Sequence, residues 1–184
     1  MHIKRRELLF AGLSSAALGL MTEPAMAIAA PTGQPTLDLW PGNRAPGGPG
    51  PKEAEKVSAK GSVTQVSRPR LVVYRPERPN GTAMLVIAGG GYAHIERGTE
   101  STPACLWLQS QGVTAFELVY RLPGEHWPAV APLQDGQRAM RVIRASAQEF
   151  GLDTGHIGVM GFSAGGHLAG ITAATPGVAR YPLL

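Results

Sequence analysis

The stretch GVMGFSAGGHLAG, residues 158–170, places one serine, Ser163, among small residues where a predicted strand meets a predicted helix. It fits the pattern GxSxG, in which small neighbours let the backbone reverse sharply and leave the serine hydroxyl above the carboxyl edge of a sheet. The helix N-terminus adds partial positive charge beside that oxygen. The pattern predicts that Ser163 is a nucleophile, although a serine among glycines also occurs as a plain turn or helix cap.

A run of three glycines lies upstream, in AGGGYAH, residues 88–94, directly after an apolar run. Backbone amides aimed at an oxyanion contribute about 3 kcal/mol each in acyl transfer. We expect Gly90, Gly91 and, from the helix after the serine, Ala164 to be such donors. A glycine-rich turn without a ligand is the alternative. A dinucleotide-binding loop fits less well, because no third glycine stands at the required offset.

Strand-like and helix-like segments alternate through residues 70–174, which predicts an α/β fold with a mostly parallel sheet and helices on both faces. The predicted strands are β-rich or continuously apolar runs, and the predicted helices begin or end near proline or glycine. We expect strands at residues 70–74, 83–88, 113–120 and 156–161, and helices at 103–112, 132–150 and 163–174.

The first 27 residues have a basic start, a moderately apolar middle and a small-x-small ending, and they predict an export signal cleaved after Ala27 or, alternatively, Ala30. Arg5 and Arg6 favour the twin-arginine type. A membrane anchor is less well supported, because the apolar stretch is shorter than the roughly 20 residues that span a bilayer. We expect recognition by the export machinery, no stable membrane insertion after signal removal, and a periplasmic or secreted protein.

The segment at residues 28–61 is rich in proline and glycine and is expected to be an irregular lead-in to a domain at residues 62–184. The formal net charge is +4 and the arginines are scattered, so nucleic acid is not an expected partner. Cys105 is the single cysteine, which excludes an internal disulfide. No spacing of His, Asp or Glu predicts a metal site, and no cofactor is expected.

Four segments in this order and spacing resemble the α/β-hydrolase superfamily, in particular its carbohydrate-esterase-like members: VIAGGGY, LVYRLPG, HWPAVAPLQDGQRAMRVIR and GVMGFSAGGHLAG. These members are acetyl or feruloyl esterases, some of them xylanase-associated. The resemblance runs from about Leu39 onward and implies a three-layer α/β-hydrolase sheet. It implies hydrolysis of acylated carbohydrate or similar small esters through an acyl-enzyme on Ser163. Such relatives usually have proline or histidine where this chain has Ala88.

The resemblance also implies a triad in the order serine, acid, histidine. The acid and the histidine are expected on later strands than this chain contains, so we expect an N-terminal part of the fold, C-terminally incomplete and inactive as the truncated chain. No histidine of the chain is assigned a catalytic role; His167 is expected to make a structural hydrogen bond. Candidate substrate contacts are Tyr92, His94 and His126. A non-catalytic binding module and a peptidase of the same fold remain alternatives.

For three further residues the sequence indicates a structural role. Asp135 and Glu100 are expected to favour the first turns of their helices through the helix dipole. Trp107 is expected to pack into the core.

Overall fold

A computed structural model describes residues 33–175, and the predicted export signal at residues 1–27 lies outside the described residues. The main sheet has five strands in the order β1-β4-β7-β5-β8. Strand β5 pairs in parallel with β7 and β8, whereas β4 is antiparallel to both β1 and β7. The strands are β1 (Thr36–Asp38), β4 (Arg70–Tyr74), β5 (Ala83–Ile87), β7 (Thr114–Val119) and β8 (Ile157–Gly161).

A second, small sheet has the antiparallel order β2-β3-β6 and is formed by β2 (Lys56–Val57), β3 (Ser62–Thr64) and β6 (Ile95–Glu96). Strand β6 continues into a π-helical turn at Arg97–Ser101. The small sheet therefore joins the lead-in to the segment that follows the three glycines. Residues 28–61 were expected to be irregular, but β1 and β2 both lie within this segment.

The helices are α1 (Thr102–Ser110), α2 (Ala131–Ala145), α3 (Ala147–Phe150) and α4 (Ala164–Ala174). Neighbouring residues of β7 show that both faces of the sheet are covered. The Phe116 ring packs on Phe150 of α3 at 5.5 Å between centroids. The carboxylate of Glu117 instead accepts from the Thr102 hydroxyl at 2.8 Å, at the start of α1. The expected three-layer, mostly parallel α/β architecture is confirmed, with β4 as the strand that runs the other way.

The long helix predicted at residues 132–150 is divided at Ser146, which has φ −90° and ψ 7° and ends α2. The short α3 follows and places Phe150 in the core. Gly151 then takes a left-handed conformation, and its amide donates to the carbonyl of Gln148, as expected of a glycine that ends a helix.

A buried ion pair lies between the end of β7 and α2. Arg121 Nη2 donates to Asp135 Oδ1 at 2.8 Å, and both side chains are fully buried. The guanidinium lies between the rings of Trp40 and Trp127, with its Cζ 5.3 and 5.1 Å from their centroids. It also donates to the carbonyl of Pro46. The lead-in is thus attached to the core through a charged group enclosed by aromatic rings.

Two sequence-based expectations, for Asp135 and for Trp107, are corrected by the structure. Asp135 does not act on a first helical turn: it stands one turn inside α2 and neutralises Arg121, while also accepting from Trp40 Nε1 at 2.8 Å. Trp107 is 62% exposed, whereas Trp40 and Trp127 are buried. The sequence did not indicate which of the three tryptophans would pack against the buried Arg121 guanidinium.

Within residues 33–175, no helix is both long and apolar enough to span a bilayer.

Candidate active site

The register of β5 and β8 brings the two glycine-rich segments to one edge of the sheet. Ile87, the last residue of β5, is paired in parallel with Gly161, the last residue of β8. The segments that follow both strands therefore leave the same edge on neighbouring strands. A Cβ atom placed on Gly89 would lie 2.8 Å from the Cβ of Ser163. The predicted nucleophile and the glycine loop, which we define as residues 88–94, are in direct contact.

Ser163 occupies the sharp turn between β8 and α4 with φ 48° and ψ −121°, a conformation that costs an L-residue free energy. Its side chain is exposed and caps no amide of α4. The flanking glycines are required by close contact between backbones. A Cβ on Gly161 would lie 2.2 Å from the carbonyl oxygen of Gly165, and one on Gly165 would lie 2.3 Å from that of Ile87. The plain helix-cap interpretation of Ser163 does not fit this geometry.

Two of the three expected donors, Gly90 and Gly91, directly follow Gly89, and the third, Ala164, directly follows Ser163. Gly90 and Gly91 have φ of 115° and 61°, which glycine adopts readily. Ala164 is the first residue of α4, where helical amides lack an internal partner. Within residues 33–175, none of these three amides donates to another group. By contrast, the amide of Gly89 donates to Glu100 Oε2 at 2.6 Å.

Tyr92 connects the glycine loop to the helix that follows Ser163. Its hydroxyl lies 2.9 Å from Nδ1 of His167, and its ring packs edge-on against Tyr120 and His167. Burial raises the pKa of Tyr92, so the hydroxyl keeps its proton at neutral pH. The structural hydrogen bond expected of His167 is present in the structure.

A cleft of about 400 Å³ extends from Tyr92 past Lys56, Thr64, Gln65 and Glu125.

The other two candidate substrate contacts are His94 and His126. His94 closes the glycine loop by donating its amide to the carbonyl of Gly90, and its Nε2 lies 3.3 Å from a carboxylate oxygen of Glu96. His126 is exposed, has φ 63°, and its carbonyl lies near Gly48 of the lead-in. Their roles in substrate binding stay predictions.

Neither a base for Ser163 nor a metal centre is formed by the part of the chain that the structure describes. The rings of His167, His94 and His156 bond or pair with Tyr92, Glu96 and Asp153 respectively, and no ring of a described histidine bonds to Ser163. No group of three or more His, Cys, Asp or Glu side chains in residues 33–175 is placed to hold a metal ion.

Two side chains next to the glycine loop were not predicted as part of the site. Glu100 accepts from the Gly89 amide, a role different from the expected action on a helix dipole. Tyr120 donates its hydroxyl to the carbonyl of Ala88 at 3.0 Å. The sequence signal for Tyr120 was available, since it follows a buried strand at the edge where the glycine loop lies. Glu100 carried no such signal, because its position depends on the π-helical turn.

Comparisons with known proteins identify the family of the chain. Residues 71–181, more than half of the chain, match the BD-FAE family. The chain belongs to this family. The match of this BD-FAE chain begins at the second residue of β4 and includes the glycine loop, Ser163 and all of α4. The resemblance to carbohydrate-esterase-like α/β hydrolases is confirmed.

Two curated relatives of this BD-FAE chain are esterases. An acetylxylan esterase of Xylanibacter ruminicola is 36% identical over 110 residues, which are 60% of this chain and 22% of the relative. Esterase LipC of Mycobacterium tuberculosis is 33% identical over 105 residues, which are 55% of this chain and 25% of the relative. The chain matches about a quarter or less of either relative's length.

Solved structures show the same fold. The crystal structure of an acetyl ester-xyloside bifunctional hydrolase from Caldicellulosiruptor lactoaceticus superposes with a TM-score of 0.55 at 34% identity. The superposition covers 74% of this BD-FAE chain and 45% of that chain. A thermophilic esterase from Thermogutta terrifontis, Est2, gives a TM-score of 0.55 at 23% identity, which supports the fold alone.

Proposed function

We propose that the protein containing this chain is a carboxylic-ester hydrolase with Ser163 as its nucleophile. The observation that carries the proposal is the exposed, strained Ser163, which contacts Gly89 of the glycine loop, while the amides of Gly90, Gly91 and Ala164 have no acceptor among the described residues. A serine with no packing or capping role, placed next to amides without acceptors, is the arrangement that acyl transfer requires.

In the proposed reaction the Ser163 oxygen attacks the ester carbonyl, and the Ser163 proton passes to a general base. The carbonyl oxygen becomes an oxyanion that accepts from the amides of Gly90, Gly91 and Ala164. Collapse of this intermediate breaks the bond to the alcohol, which leaves with a proton from the protonated base. Water then hydrolyses the acyl-enzyme and restores the serine. The base is not assigned to a described histidine.

Acylated carbohydrates or similar small esters are the substrates that we propose. The names of the two similar hydrolases, an acetylxylan esterase and an acetyl ester-xyloside hydrolase, support this choice. The cleft at Tyr92 is also lined by the polar residues Lys56, Thr64 and Gln65, which suits a substrate with several hydroxyl groups.

The test is hydrolysis of p-nitrophenyl acetate by the full-length protein and by its Ser163→Ala variant. We expect Ser163→Ala to lower kcat by about four orders of magnitude or more, as loss of a nucleophile does in serine hydrolases. Ser110→Ala is the matched control, because Ser110 is an exposed serine at the end of α1. Unchanged turnover in Ser163→Ala would disprove the proposal and favour a non-catalytic binding module.

Two finer points belong to the same proposal. Residues 1–184 alone should hydrolyse the ester at least about four decades more slowly than a protein that carries the triad acid and histidine, because no described histidine contacts Ser163.

Comparing p-nitrophenyl acetate with a p-nitroanilide of the same acyl group separates an esterase from a peptidase. Faster cleavage of the anilide would favour the peptidase.

A further inference from the structure

Both ends of the peptide unit between Ala88 and Gly89 are held by side chains. The N–H of Gly89 donates to Glu100 Oε2 at 2.6 Å, a short distance that is typical of a bond to a carboxylate. The C=O of Ala88 accepts from the Tyr120 hydroxyl at 3.0 Å. Burial raises the pKa of Tyr120, so this hydroxyl remains a donor at neutral pH. The peptide unit that begins the glycine loop is therefore fixed in orientation.

The bond to Glu100 decides which amides of the glycine loop are open. Because the Gly89 amide is engaged, it does not serve as an oxyanion donor. The carbonyls of Gly89 and Gly90 accept from the amides of Glu96 and His94, at 3.1 and 3.3 Å. Of the three glycines in this loop, Gly90 and Gly91 have amides for which the described residues provide no acceptor. Glycines have wide backbone freedom, so these orientations depend on such contacts.

Glu100 is itself carried by an anchored segment. It lies in the π-helical turn Arg97–Ser101, whose two end residues both contact the fully buried Glu117. Arg97 Nη2 donates to Glu117 Oε2 and Ser101 Oγ donates to Glu117 Oε1, each at 2.6 Å. The Glu117 carboxylate, in the middle of β7, thus fixes the backbone on both sides of Glu100.

We propose that Glu100 is a positioning residue for the hydrolysis: by accepting the Gly89 amide, it orients the glycine loop so that the amides of Gly90 and Gly91 face the oxyanion. The inference rests on the proposed function. Glu100 contacts no reacting atom in this proposal; it acts through Gly89. This role was not expected from the sequence, which indicated that Glu100 acts on a helix dipole.

The test measures kcat and KM of the full-length protein and its Glu100 variants with p-nitrophenyl acetate. Glu100→Ala removes the acceptor, and we expect kcat to fall about 10- to 100-fold while KM stays within about threefold. Glu100→Gln keeps an oxygen that accepts from the same amide, so it should recover most of the loss. Glu149→Ala, which removes an exposed glutamate of α3, is the control for changes of surface charge.

Amide hydrogen exchange of Gly89, followed by NMR, shows whether the effect passes through this bond. Exchange should be slow in the unmodified protein and in Glu100→Gln, and faster in Glu100→Ala. An unchanged kcat in Glu100→Ala, or an equal loss in Glu100→Gln, would overturn the positioning role. If Ser163→Ala instead keeps full turnover, the proposed hydrolysis itself fails, so the two failures are distinguishable.

Discussion

The hydroxyl of Tyr92 lies 2.9 Å from Nδ1 of His167, so the glycine loop and the helix that follows Ser163 are joined by their side chains. His167 lies one helical turn beyond Ser163 on α4. Tyr92 has a positive φ of 61°, which shows that the loop backbone is held in an uncommon conformation. This contact is a second link, besides the sheet register, between the two halves of the candidate site.

Tyr92→Phe should weaken this link without removing the ring that packs on Tyr120. We expect the free energy of unfolding to fall by about 1 kcal/mol, the usual contribution of one hydrogen bond. We expect kcat/KM for p-nitrophenyl acetate to fall several-fold, since the loop loses a tie to α4. A double-mutant cycle with His167→Ala measures the link. The losses of the single variants should not add in the double variant, and full additivity would contradict the prediction.

Gly165→Ala should damage the turn at Ser163. The new Cβ would lie 2.3 Å from the carbonyl oxygen of Ile87 and 2.5 Å from that of Ala88, so backbone has to move. We expect a loss of about 2 kcal/mol or more in the free energy of unfolding by urea. Gly170→Ala is the matched control on the same helix, since no atom lies within 4 Å of its added Cβ. It should stabilise by about 0.5 to 1 kcal/mol through helix propensity.

Asp135→Ala leaves the Arg121 guanidinium buried without its carboxylate. Removal of one partner from a buried ion pair costs about 3 to 5 kcal/mol, and we expect a loss of that size in the free energy of unfolding. Asp153→Ala is the control: Asp153 also pairs with a basic side chain, His156, but at the surface, where such pairs contribute little. Equal losses in the two variants would show that burial of the Arg121 pair has no special energetic role.

Export should depend on the paired arginines near the N-terminus. We expect the double variant Arg5→Lys, Arg6→Lys to remain in the cytoplasm as the precursor that keeps residues 1–27, because the arginine pair is the feature that marks a twin-arginine signal. Cell fractionation followed by mass spectrometry of the N-terminus measures this. Lys4→Arg, which exchanges the same two residue types at the neighbouring position, is the control for a substitution that keeps the charge of this region. Normal processing of the double variant would indicate the general secretory route.

Local patterns predicted the elements that carry the site. The strand Arg70–Tyr74 was predicted with the observed bounds, because a β-rich run ends at a proline. The turn at Ser163 was also predicted, since close contacts at Gly161 and Gly165 admit only small residues. Strand direction was not predicted for β4, because direction depends on which strands become neighbours and β4 lies beside β1 and β7.

Contacts between distant residues were the part that the sequence did not reveal. Glu100 reaches Gly89 from a π-helical turn after β6, which the sequence pattern did not predict. Asp135 meets Arg121 because the end of β7 and the start of α2 pack together. A helix-dipole interpretation used only the neighbours along the chain, and the partners across the fold determined the roles of both carboxylates.

The attachment of the lead-in to Arg121 bears on how this protein should be prepared for experiments. The family match begins at residue 71, but Trp40 covers one side of the Arg121 guanidinium and the carbonyl of Pro46 accepts from it. A recombinant form trimmed to the family boundary would open this enclosure to water and remove β1 from the sheet. Its low solubility or low activity would then reflect the trimming, so expression should start before Thr36.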